Sequence, residues 1–432
     1  MTTVGRLGYP LHMDTLPNGL RVIVSPDHAA PVVAVNLWYG VGSRDEVAGL
    51  TGLAHLFEHV MFQGSAHVPG GDHLNSLQAA GGTCNATTWF DRTNYFDTVP
   101  RGALDLALWL EADRMGYLLA ALTQENLDTQ REVVKEEKRQ RYDNAPYGDT
   151  IDHLLRLGFP AGHPYGHPVI GSMDDLDAAS LADAHAFHDR WYAPGNAVLT
   201  LVGDVKPKAG FRKAREFFGH LPARAVPEPV LPPPLPPHAG VPRAATSAPV
   251  PADTLFVLWR TPALGTRASD AVEIALDILG GGEPSRLYRR LVHDEVTCST
   301  AGAAVLGLVR GSSLAYAYAR ALEGVSLESL EESVCAEVAR LLEEGPTEVE
   351  LARVRTQFER AWLEECARLA SRADLFGGYA SMFDDPDRVN RRIEEYCSVG
   401  AAEVAEAARA WLRPEQRAVL EYRRGPLGEE QP

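Results

Sequence analysis

The chain holds 432 residues, 45% hydrophobic and 23% charged, which is ordinary globular composition and long enough for two to three domains. Its formal charge of −17 repels phosphate backbones and anionic lipid, so nucleic-acid and membrane-surface partners are set aside. The five cysteines, at 84, 298, 335, 366 and 397, form no CxxC pair and no disulfide framework. The opening stretch MTTVGRLGYPLHMDTLPNG lacks an apolar leader segment, and no run approaches the ~18 apolar residues that span a membrane. The expectation is a soluble protein of a reducing, cytoplasmic compartment.

The first strand-like run is AAPVVAVNLW (29–38). It is followed by HLFEH (55–59), flanked by Leu53, Ala54, Val60, Met61 and Phe62. In a helix His55 and His59 share one face at i and i+4, where two imidazoles can hold one metal ion. Glu58 lies beside the pair, within reach of a water on that metal. Burying three polar side chains in apolar surroundings costs several kcal/mol unless something satisfies them, and a cation does so. The order H-x-x-E-H is a zinc-hydrolase signature, inverted from H-E-x-x-H.

Next come GGTCNATT (81–88), which reads as a turn and an edge strand, and helical patterns over 103–121 and 123–142. The third metal ligand must come from elsewhere in the chain. The second of these helices carries Glu125, Glu132, Glu136 and Glu137. Leu127, Gln130, Val134, Glu137 and Arg141 recur at helical spacing, with Val133 beside them, whereas Glu136 aligns with Glu132 and Gln140 on a charged face. Glu137 is therefore the acid nearest the apolar stripe, where a carboxylate needs a cation.

The stretch 221–253 is proline-rich and reads as an extended, semi-rigid linker, neither helix nor central strand. Its two sides look alike. VPADTLFVLW (250–259) matches the first strand at an offset of 221, and WLRPEQRAVLEY (411–422) matches WYAPGNAVLTLVGD (191–204) at 220 to 221. Two matches at one offset point to an internal duplication. Further helical patterns cover 268–280, 325–344 and 346–370. The expected fold is α+β: two tandem homologous α/β sandwich domains, with a metal-binding domain over 1–221, a linker over 222–252 and a metal-free domain over 253–432. In the second domain the motif positions fall on Leu276, Leu279 and Gly280, none of which binds metal.

HLFEH, GGTCNATTWFDRTNYFDTVP (81–100) and REVVKEEKRQRYDNAPYG (131–148) together resemble the pitrilysin/insulinase family of zinc peptidases. The length and single linker are similar to its short, processing-peptidase-like branch, such as the mitochondrial processing peptidase beta subunit. The resemblance implies a LuxS/MPP-like metallohydrolase fold forming half of a clamshell. It implies Zn²⁺ on His55, His59 and Glu137, the last being the final Glu of a V-V-x-x-E stretch. It implies that Cys84, Asn85 and Ala86 meet the backbone of an extended peptide by β-addition. An acidic position seven residues before the third ligand is Gln130 here. The arginine and tyrosine that related second halves carry fall on Val292 and Ser299, with Arg286, Tyr288, Arg289 and Arg290 nearby. Family members with the metal motif but without that pair work beside a related subunit, so the resemblance implies a heterodimer, with a homodimer as the alternative.

The function expected is zinc-dependent endopeptidase chemistry, with Glu58 as general base and then proton donor to the leaving amine. The rival readings are a catalytically weak or structural subunit, a zinc hydrolase of small molecules, and a non-enzymatic peptide-binding module.

Overall fold

The computed structural model describes residues 5–228 and 231–426. The first half contains β1 (His12–Thr15), β2 (Arg21–Pro26), β3 (Val32–Tyr39), α1 (Leu53–Val60), α2 (Asp72–Ala79), β4 (Thr83–Thr88) and β5 (Thr93–Pro100). It continues with α3 (Leu104–Tyr117), α4 (Gln124–Lys138), α5 (Thr150–Gly158), α6 (Met173–Ala178), α7 (Leu181–Trp191), β6 (Ala197–Gly203) and α8 (Pro207–Phe218). The second half contains β7 (Arg243–Ala248), β8 (Thr254–Pro262), α9 (Arg267–Gly280), the single turn α10 (Arg286–Tyr288), β9 (Cys298–Leu306) and β10 (Ser312–Ala321). It ends with α11 (Leu327–Glu344), α12 (Glu348–Ala367), α13 (Leu369–Phe383), α14 (Arg388–Cys397), α15 (Ala401–Trp411) and β11 (Ala418–Arg424).

The halves are copies of one design. The sheets run β1-β2-β6-β3-β5-β4 and β7-β11-β8-β10-β9. Without β1 the two orders are the same. β2 pairs parallel with β6, and β7 pairs parallel with β11, while the other neighbours are antiparallel. Trp38 of β3 and Trp259 of β8 stand 221 residues apart, as do Ala197 and Ala418 at the starts of β6 and β11. The short matches in the sequence thus mark equivalent strands.

Each sheet buries one face against helices of its own half. Val22, Val35, Leu37 and Tyr39 meet Leu56, Phe57 and Leu108 in the first core, and Val257 and Trp259 meet Ile274, Leu279 and Val338 in the second. The opposite faces are covered by exchange. From the second half, α13 lies on β3 and β6, where Ala373, Phe376 and Ala380 pack on Ala34, Trp38, Val198 and Val202. Its Asp374 accepts hydrogen bonds from Trp38 Nε1 (2.8 Å), Asn36 (3.1 Å) and Asn94 (2.7 Å). From the first half, α5 lies on the second sheet, with Leu154, Leu155 and Phe159 against Leu258, Leu314 and Leu420. Arg260 donates to the Gly158 carbonyl at 2.6 Å, closing off the end of α5.

Four expectations change in detail. The stretch expected as linker over 222–252 contains β7, an edge strand of the second sheet, so the connecting segment stops short of Arg243. Proline is scarce from 243 to 248, and an edge strand needs ladder bonds on one side only. The pattern over 346–370 splits at Arg368, where an extended residue (φ −82°, ψ 129°) separates α12 from α13. The helix over 123–142 ends at Lys138 and widens into a π turn, Arg139–Asp143. Val133, placed beside the apolar stripe, is exposed.

Candidate metal centre

α1 begins at Gly52, whose φ of 92° admits glycine readily and which offers no capping side chain. Glu46 supplies the cap instead. Its carboxylate accepts from Gly52 N (2.9 Å) and Ala54 N (2.7 Å), two of the first-turn donors a helix leaves unpaired. Leu53, Leu56, Phe57 and Val60 bury the inner face of the helix, and α4 packs across it with Leu127, Gln130 and Val134 buried.

That crossing brings His55, His59 and Glu137 together, their ligand-type atoms all within 4.8 Å of one another. Glu137 Oε2 is 3.3 Å from His59 Nε2 and 3.8 Å from His55 Nε2. Zinc bonds of ~2.0–2.1 Å at tetrahedral angles set neighbouring donor atoms about 3.4 Å apart, so these spacings fit such an ion. Burial, with His59 alongside, lowers the His55 pKa to about 4, so the ring is neutral near pH 7 and keeps one nitrogen free to act as a ligand. The hydrogen bond with His59 holds the Glu137 carboxyl below its usual range, and Arg141 reaches its other oxygen at 2.6 Å. Glu132 and Glu136 stay exposed on the outer side of α4, as the charged-face reading expects.

Glu58 lies next to this triad. Thr88 Oγ1 donates to Glu58 Oε2 at 2.6 Å, yet burial outweighs that bond and raises the Glu58 pKa. Thr88 closes β4, which pairs only with β5 and so forms the edge of the first sheet. Cys84, Asn85 and Ala86 belong to this strand. Ala86 is buried and Cys84 packs against the first core, whereas Asn85 is exposed. Burial pushes the Cys84 thiol up to about 11, which removes it as a nucleophile.

Glu46 and Thr88 were not picked out in the sequence. Strand alternation from Ala86 would have placed Thr88 on the inner face, but a cap arriving from outside the helix leaves no local signal. A second group, His73, Asp97 and Glu111, is also buried and clustered. There Arg114 already supplies the cation: its Nε donates to Glu111 at 2.9 Å and its guanidinium sits 4.1 Å above the Tyr95 ring. Burial, with the Glu111 charge nearby, keeps Asp97 well above the usual carboxylate range. Asp97 stands opposite Cys84 in the ladder.

Comparison with known proteins places the chain in a family. Two family models match the chain: "Insulinase (Peptidase family M16)" over 21–170 and "Peptidase M16 inactive domain" over 178–358. The zinc protease PqqE of Helicobacter pylori is 30% identical over 374 residues, which span 84% of this chain and 82% of that one. The chain belongs to the insulinase family, M16. A crystallised Helicobacter pylori protease has a TM-score of 0.88 at 26% identity, covering 96% of this chain and 99% of its own. Pitrilysin shares the fold (TM-score 0.78, 18% identity), and 98% of this chain matches only 46% of that longer one. The M16 model named inactive covers most of the half without a metal motif. Leu276 and Leu279 are core residues of α9 there. At Gly280 a side chain would collide with the Ala303 backbone, so the helix lies flush on β9 and leaves no room for an ion.

The second-half positions singled out by resemblance are placed as follows. Val292 packs against the second core, and Ser299 is exposed at the start of β9. Arg286 pairs with Glu350 and Arg290 with Glu295, so both are structural. Tyr288 stacks edge-on with His293.

Proposed function

We propose that this M16 protein is a zinc-dependent metalloendopeptidase that hydrolyses extended peptides, and the catalytic subunit of a two-chain clamshell. The observation that carries the reading is the convergence of His55, His59 and Glu137 beside a Glu58 carboxyl held by Thr88. His55, His59 and Glu137 would hold the zinc. When bound, the ion supplies Lewis acidity that acidifies water and polarises a carbonyl. Glu58 takes the proton from the attacking water and delivers it to the leaving amine. Its raised pKa suits both tasks: a more basic carboxylate accepts more readily, and the acid form persists closer to neutrality. The free edge of β4 aligns substrate backbone through Cys84, Asn85 and Ala86 by strand addition. A purely structural metal would need no base at Glu58, which weighs against a non-catalytic subunit. The five cysteines are unpaired, which supports a cytoplasmic setting.

Two variants separate binding from chemistry. Glu58→Gln keeps shape but cannot accept the proton, so zinc content and peptide binding should persist while kcat falls roughly 100-fold or more. Glu137→Gln should instead lower zinc content. Metal analysis beside a fluorogenic peptide assay reads both, and exchanged phenotypes would refute the role assignment.

A further inference from the structure

The second sheet is not wholly covered by α5. Beside the first turns of α5 a cavity of 360 Å³ opens between the halves, walled by Phe256 of β8, Tyr316, Tyr318 and Arg320 of β10, and Tyr147 and Ile151 of the first half. Alternation along β10 explains the lining. Ala315, Ala317, Ala319 and Ala321 point into the second core, so Tyr316, Tyr318 and Arg320 share the opposite face.

Four buried arginines are neutralised by acids. Arg114, Arg286, Arg372 and Arg392 each hold a carboxylate: Glu111, Glu350, Asp27 and Asp270. Arg320 forms no ion pair among the described residues, and its buried Nε has no hydrogen-bond partner. Its guanidinium lies instead 4.6 Å from the centre of the Tyr147 ring. The neighbouring carboxylate, Asp149, is engaged by the Tyr422 hydroxyl (2.7 Å) and His153 (3.1 Å). In a chain of net charge −17, one cation faces an aromatic cavity without an acid of its own.

The Tyr147 ring is held there at a cost. Its φ of 62° lies in the left-handed region, which a bulky residue rarely adopts. Three contacts hold it: the Tyr147 hydroxyl donates to the Ala252 carbonyl at 2.6 Å, the ring meets Tyr422 edge-on at 5.2 Å, and Arg320 lies over it. Tyr147 follows Glu137 by ten residues, so the cavity is at most ~36 Å along the chain from the metal ligands, the reach of a peptide of similar length.

We propose that this cavity binds the carboxylate end of an extended peptide. Arg320 pairs with the terminal carboxylate, and Tyr147, Tyr316, Tyr318 and Phe256 enclose an apolar or aromatic last side chain. The substrate class rests on the peptidase reading, but the site itself does not need the metal. It would give this chain a carboxylate contact of its own, on the strand beside the Ser299 position, whose hydroxyl reaches the Arg320 carbonyl at 3.5 Å.

The test is titration calorimetry on the full chain in EDTA, which keeps zinc out of the readout. The probes are an N-acetylated hexapeptide ending in phenylalanine, as the free acid and as the C-terminal amide. The acid should bind about 10-fold tighter or more than the amide, the usual worth of a charge-assisted hydrogen bond. Arg320→Met should abolish that preference and Arg320→Lys should keep part of it, with circular dichroism verifying that both fold. Equal affinity of acid and amide, or a preference that survives in a folded Arg320→Met variant, would overturn the proposal. An acid preference in a zinc-loaded protein that cleaves no peptide even with its partner subunit added would leave the carboxylate site standing and remove the peptidase reading.

Discussion

Thr88 is a small residue with a large assignment. Its hydroxyl is the one side-chain donor on Glu58 among the described residues, and it ties the edge strand to the base. Thr88→Val keeps the shape and removes the donor. Zinc content and KM should stay near wild type while kcat falls roughly 3- to 10-fold, the worth of one hydrogen bond that orients the base. An unchanged kcat with normal zinc would show that Thr88 only packs. At this scale the sequence was legible wherever chemistry repeats at helical spacing. His55, Glu58 and His59 stand on one turn, and Glu137 could be chosen among four acids by its alignment with Leu127 and Val134. Thr88 acts on a partner 30 residues away in the chain, and periodicity does not report such a pair.

Helix ends carry the next level of information. α12 opens with Thr347 and Glu350, which cap each other reciprocally. Glu350 also holds Arg286 through two bonds, at 2.7 and 2.9 Å, tying α12 to the turn before β9. Burial alone would raise the Glu350 pKa, but the bonds from Arg286 and Thr347 outweigh it and bring the group down to about 2. A carboxyl depressed in the folded state stabilises the fold above its unfolded pKa of about 4.5, and that stability is lost as pH falls through the folded value. Glu350→Gln should therefore lower stability by about 2 kcal/mol at pH 7. The gap between variant and wild type should close as pH drops from about 4.5 to 2, read from urea midpoints across that window. A gap independent of pH would mean that packing, not charge, is what Glu350 supplies. The capping pair T-x-x-E is visible in the sequence, whereas the reach of Arg286 to Glu350, 64 residues away, is not. The break between α12 and α13 was missed because the stretch CARLASRA contains no Gly or Pro to announce it. The break exists because α13 must turn onto the other half's sheet.

The duplication was readable at the scale of the whole molecule because Trp38 and Trp259 and the strands β6 and β11 keep a 221-residue offset. The exchange of α5 and α13 was not, since a helix pattern shows which face is apolar but not which sheet will cover it. That exchange makes the halves mutually dependent. A chain ending at residue 221 would expose Ala34, Trp38, Val198 and Val202 to water, and it should aggregate unless residues 222–432 are co-expressed. The same reasoning bears on the partner. In the intact chain α5 and α13 pack on the outer sheet faces from within, so folding should not need a second subunit. Its role would be to close a chamber. This chain brings the candidate metal triad, but Val292 is spent on the second core and Ser299 offers only a hydroxyl, at the two positions where the resemblance implies arginine and tyrosine. A related chain without H-x-x-E-H but with that pair would complete the chamber. Peptide cleavage by the isolated protein should be weak and should rise to saturation near one equivalent of such a paralogue, with light scattering showing the mass shift from one chain to two. Val292→Arg combined with Ser299→Tyr should recover part of the activity without the partner, less a packing cost at Val292. Full activity from a homogeneous monomer or homodimer, indifferent to the paralogue, would exclude the heterodimer and leave Arg320 as the cation that this chain uses for the carboxyl end.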